Sequence, residues 1–181
     1  MADYFLYHNL EEGRENKVCL YFNNKKWTYG DVARMSNRTG NVLHDSGVVV
    51  EDRVLIVLPD CPEFVWTWFG AARIGAVITM VNPLLPSVDY EYYLEYTRAS
   101  VAVVHRSQLN VFAAAVARSR WLRAVIVVGD EGEQTDVAAN CDSNNGRDGK
   151  RMPIGSADYG GKDAPKNGLP RPESGRPNRN S

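Results

Sequence analysis

Four apolar runs of strand length, separated by segments of helix length, constrain this chain more than any other feature. They are "RVLIVLP" (Arg53–Pro59), "AVITMV" (Ala76–Val81), "SVAVV" (Ser100–Val104) and "AVIVV" (Ala124–Val128). Unbroken apolar runs suit strands covered on both faces, as in parallel sheets. Their alternation with helices predicts βαβ units, right-handed crossovers and a mostly parallel sheet with flanking helices, an α/β fold. The connecting segments carry helix punctuation. In "CPEFVWTWFGAARIG", Pro62 suits the first helical position, Glu63 the first turn, and Gly75 the end. Phe64, Val65, Trp68, Phe69 and Ala72 are its expected inner stripe. Ser87 can cap "VDYEYYLEYTR", and Ser107–Arg120 reads as a further helix.

Upstream, "KVCLYF" (Lys17–Phe22), the turn "NNKK" and "WTY" read as a β-hairpin. "TYGDVARMSNRTGNVLHDSG" reads as a helix capped by Thr28 and closed by Gly47, with Asp31 in its first turn. Val32, Met35, Thr39, Val42 and Leu43 share its apolar face. Downstream of Gly129 the composition changes. From Glu131 to Ser181 apolar residues are isolated, and Asn, Gly, Pro, Ser, Asp and Arg dominate. Such a stretch buries too little apolar surface to offset about 1–2 kcal/mol of backbone entropy per residue. The expected organisation is an α/β domain over 1–130, ending on the run at Ala124–Val128, and a disordered low-complexity tail over 131–181.

Composition excludes several functions. A net charge of -1 gives no basic surface for nucleic acid or an anionic membrane. The longest apolar stretch, Val54–Val81, is interrupted by Asp60, Glu63 and Arg73, so no membrane span is expected. The N-terminus has acids where a signal peptide needs bases. Cys19, Cys61 and Cys141 are scattered, which fits a reducing cytoplasm and argues against a cysteine metal site. His8, His44 and His105 form no ligand motif. Asp60 and Glu63 sit where parallel sheets often bind ligands, but read better as acids facing a helix dipole. "GDEGEQ" carries acids that would repel phosphate. "GGKDAPKNG" (Gly160–Gly168) lacks the flanking strand, helix and hydroxyls of a phosphate loop. Trp66, Trp68, Tyr90, Tyr92, Tyr93 and Tyr96 recur at helical spacing and read as core or inter-helix packing. The residues alone yield no catalytic, cofactor-binding or metal-binding assignment.

Taken together, several phrases resemble the opening of adenylate-forming enzymes, the AMP-dependent acyl- and aryl-CoA synthetase superfamily. That pattern runs T-Y-x-x-L, G-V-x-x-x-D-R-V, L-P-[DN]-x-P-E-F, G-A-x-x-x-G-A and V-N-P-L-L. Here it is carried in order by Thr28, Tyr29, Gly47, Val48, Asp52, Arg53, Val54, Leu58, Pro59, Asp60, Pro62, Glu63, Phe64, Gly70, Ala71, Gly75, Ala76, Asn82 and Pro83. "DYFLYHNLEEGRENKVCL" and "SRWLRAVIVVGDE" resemble the benzoate–CoA ligase branch. The resemblance covers about Asp3–Glu131.

It implies a partial N-terminal subdomain of an enzyme that joins ATP and an aromatic carboxylic acid as acyl-adenylate, then passes the acyl group to CoA. In the family the triphosphate loop, the acid pocket and the C-terminal lysine domain lie downstream of the matched region. The matched residues are therefore scaffold. ATP, Mg²⁺ and CoA are cofactors of the full-length family and none is expected for this chain, read as a truncated, inactive fragment. The alternative is a non-catalytic protein-interaction module. Exposed sheet edges would favour self-association in either case.

Overall fold

The computed structural model describes residues 3–129 and Ile154–Ser156. It opens with a π-helical turn, Asp3–Tyr7, and a single α-turn, α1 (His8–Glu11). The hairpin follows as expected: β1 (Val18–Phe22) pairs antiparallel with β2 (Lys25–Thr28). Asn23 takes the left-handed turn position at φ 50°, which asparagine tolerates well.

Helix α2 (Tyr29–Asp45) starts where its sequence says it should. Thr28 Oγ1 accepts from the Asp31 amide at 3.1 Å, and Asp31 Oδ2 accepts from the Thr28 amide at 3.0 Å. Two otherwise orphaned donors are thus satisfied reciprocally. Thr28→Ala should cost about 1 kcal/mol of unfolding free energy in urea titrations. No loss would mean the helix starts elsewhere. The Thr28 amide holds the Asp31 carboxyl below its ordinary value of 3.8; burial opposes this, and the Thr28 hydroxyl and Arg34 add to the lowering. The folded state favours the ionised form, so this contribution is present at neutral pH and fades as the pH falls below 3.8.

The main sheet has five strands in the order β4-β3-β5-β6-β7, and all its pairings are parallel. They are β3 (Arg53–Val57), β4 (Val77–Met80), β5 (Val101–His105), β6 (Ala124–Val128) and β7 (Ile154–Ser156). Between them run α3 (Pro62–Arg73), α4 (Ser87–Thr97) and α5 (Leu109–Val116), the last preceded by a 3-10 turn at Arg106–Gln108.

The period-two geometry of a strand divides the core. Leu55, Val57, Ala102, Val104, Val125 and Val127 face one way, against Tyr90 and Leu94 of α4 and Phe112 and Ala115 of α5. Val54, Ile56, Val101, Val103, Ala124 and Ile126 face the other way, against Leu43 of α2 and Ala71 of α3. Burying each large aliphatic side chain contributes about 1.5–3 kcal/mol. A third cluster forms on the outer side of α2 and α3. There Leu6, Val32, Ala33 and Trp66 close over the hairpin's Leu20 and Trp27.

Four expectations need correction besides the helix read over Ser107–Arg120, which as α5 spans only Leu109–Val116. First, Ala124–Val128 is not the last strand, because Ile154–Ser156 pairs in register from Val125↔Ile154 to Val127↔Ser156. The rest of 131–181 lies outside the described residues. Second, β4 is not a doubly buried strand. It is the sheet edge, with Val77 46% and Met80 55% exposed. Third, the buried residues of α3 are Pro62, Trp66, Thr67, Gly70 and Ala71, while Phe64, Val65, Trp68, Phe69 and Ala72 are half-buried. This helix packs on three sides, and its smallest residues take the tightest contact. Fourth, Ser87 does not cap α4. Pro86 occupies the cap position and Ser87 is the first helical residue. Gly47 and Gly75 do terminate their helices, at φ 85° and 78°.

Candidate functional site at the carboxyl edge of the sheet

In open parallel sheets, ligands bind outside the carboxyl ends of adjacent strands whose connections leave in opposite directions. That condition is met between β3 and β5. The connection after β3 enters α3 on one face of the sheet, and the connection after β5 enters α5 on the other. Asp60, Cys61 and Glu63 follow β3, while His105 ends β5 and Arg106 and Ser107 follow it.

Local geometry fixes these groups. The Ser107 amide donates to His105 Nδ1 at 3.3 Å, and the Ser107 hydroxyl lies 2.8 Å from the same nitrogen. Accepting at Nδ1 places the neutral imidazole's proton on Nε2. Gly129, at the end of β6, passes close beside it. A β-carbon there would stand 3.1 Å from His105 Nε2 and 3.3 Å from Arg106 Cβ. Arg106 Nε is buried and has no hydrogen-bond partner among the described residues.

On the β3 side, burial pushes the Cys61 thiol up to about 11, with the Glu63 charge adding to it. It stays protonated at neutral pH and is no nucleophile. Glu63 is half-buried in the first turn of α3, the dipole-facing position expected of it, whereas Asp60 is exposed and lies before the cap residue Cys61.

The loop after β4 is held by side-chain hydrogen bonds. Asn82 Oδ1 accepts from the Leu84 amide at 2.9 Å, folding the side chain over its own turn. The buried Tyr90 of α4 donates its hydroxyl to the Pro83 carbonyl at 2.6 Å. The scaffold role expected of Asn82 and Pro83 is thus supplied with a clamp, Tyr90, that the sequence offered only as packing. Tyr92 and Tyr96 depart from the packing expectation. They stack on each other at 5.7 Å on the exposed side of α4.

The histidines stay apart, with His8 beside Glu12, His44 at the end of α2 and His105 at this edge. Among the described residues, no three His, Cys, Asp or Glu side chains gather to hold a metal ion. The lysine-bearing stretch Gly160–Gly168 lies outside the described residues. Asp60 and Glu63 come just after β3, and His105 and Arg106 stand at the end of β5, so polar groups of both signs lie at this edge of the sheet. They do not make a seat for a triphosphate and its metal, which needs backbone amides, hydroxyls and a lysine in one loop.

The strand order, the helices on both faces and the polar carboxyl edge define a doubly wound α/β unit. The chain belongs to the AMP-binding enzyme family, whose family model matches residues 7–173. That match runs past Glu131, where the resemblance read from the sequence stops. Among curated relatives, the benzoate–CoA ligase of Thauera aromatica is 35% identical over 138 residues, 76% of this chain and 26% of its own. The 4-hydroxybenzoate–CoA/benzoate–CoA ligase of Rhodopseudomonas palustris is 33% identical over 136 residues, 75% of this chain and 25% of its own. The chain therefore spans about a quarter of the length of the curated relatives it matches. Among solved structures, an anthranilate CoA ligase in complex with anthranoyl-AMP superposes with a TM-score of 0.67 at 31% identity. It covers 70% of this chain and 24% of that one. A benzoate CoA ligase from Burkholderia xenovorans LB400 gives 0.65 at 26% identity, covering 71% and 25%.

Proposed function

We propose that this chain is the leading structural unit of an aryl-CoA ligase. In that reaction the carboxylate oxygen of an aromatic acid attacks the α-phosphorus of ATP and pyrophosphate leaves. The thiol of CoA, losing its proton, then attacks the acyl carbonyl and AMP leaves. The observation that carries the reading is the chemistry shared by the benzoate, 4-hydroxybenzoate and anthranilate ligases that this chain resembles in sequence and in structure. Benzoate, 4-hydroxybenzoate and anthranilate are all aromatic acids. ATP, Mg²⁺ and CoA belong to that whole reaction, and none is assigned to a residue described here. The chain's part is to present the carboxyl edge, with the Asn82–Pro83 loop and the β5 terminus held rigid. On this reading the 181 residues alone are expected to give no turnover.

Pyrophosphate exchange into ATP with benzoate, 4-hydroxybenzoate and anthranilate is the direct test. The chain alone should give background exchange. The same chain extended by the remainder of a benzoate–CoA ligase should give exchange above background with an aromatic acid. Turnover by the chain alone overturns the inactivity, and an extended protein that prefers aliphatic acids overturns the substrate class. Residence in the cytoplasm is part of the proposal. It agrees with the free thiols of Cys19 and Cys61, and no helix among the described residues is long and apolar enough to cross a membrane.

A second reading, a non-catalytic module that pairs with a copy of itself, is favoured by the β4 edge. Val77–Met80 reads V-I-T-M, without the charge, proline or bulge that blunts a free edge. Size-exclusion chromatography across a concentration series should show self-association that Val77→Lys suppresses. An ideal monomer at every concentration removes this reading.

A further inference from the structure

We draw no further inference here: the strongest candidate, the exposed stripe of Val88, Tyr92 and Tyr96 along the outer side of α4, is an unpartnered apolar surface, and nothing in the structure shows what covers it.

Discussion

Phe112→Ala is expected to lower the unfolding free energy by about 3–5 kcal/mol, the range for deleting a buried aromatic ring. Phe112 is fully buried between α5 and the sheet, and its ring meets that of Tyr90 edge to face at 5.3 Å and 68°. The loss joins two parts. Transfer of the ring out of the core and the cavity left behind make up most of it. The aromatic pair adds about 0.5–1.5 kcal/mol. A small domain holds only about 5–15 kcal/mol in total, so this variant should melt early or fail to accumulate. The pair contribution separates in a double-mutant cycle with Tyr90→Leu, read by urea denaturation. Tyr90→Phe keeps the ring and drops the hydroxyl's bond to the Pro83 carbonyl, together with its longer contact to the Asn82 carbonyl, so it should cost about 1 kcal/mol. A Phe112→Ala loss below about 1 kcal/mol would contradict the burial of this ring.

Gly70→Ala is the second large effect, and its sign runs against helix propensity. On an exposed helix, alanine would be favoured over glycine by about 1 kcal/mol. Here the added β-carbon would stand 2.7 Å from the Ser36 carbonyl oxygen and 2.9 Å from the Gly40 amide nitrogen. Both are backbone atoms of α2, which cannot rotate away as a side chain could. Moving α2 off α3 would disturb two clusters at once, since α3 packs on the sheet through Ala71 and on the hairpin side through Trp66. We expect a net loss of about 1–3 kcal/mol. Gly40→Ala should lose less, because its β-carbon would lie 3.3 Å from the Gly70 oxygen. Thermal melts of both variants check the order. A Gly70→Ala protein as stable as the parent would mean that α2 and α3 do not cross this closely.

The strands were legible because a doubly covered sheet leaves a chemical trace in every residue. Val54–Val57 and Val101–Val104 have no polar position to hide. The start of α2 was legible because Thr28 and Asp31 are a local device, settled within four residues. Long-range arrangement was less so. An apolar run cannot say whether it lies at the centre or the edge, which is how β4 came to be expected as buried. Gly40 and Gly70 give no local signal of their use, which shows only where α2 crosses α3. Ile154–Ser156 is three residues in polar surroundings, too short for any period to show. At the carboxyl edge, Asp60 and Glu63 could be placed from sequence. The Tyr90 clamp and the closeness of Gly129 to His105 depend on contacts made across the fold.

The strand order also sets a timetable for the ribosome. β3 lies between β4 and β5, both of which are made after it. When Arg53–Val57 leaves the exit tunnel, neither of its edges has a partner. One edge waits for Val77–Met80 and the other for Val101–His105. Translation adds about 5–20 residues per second, so this strand, four of whose five residues are buried aliphatics in the fold, stays unpaired for seconds. During that interval its apolar side chains and both its edges are open to other chains, and slow codons between β3 and β5 would lengthen the exposure.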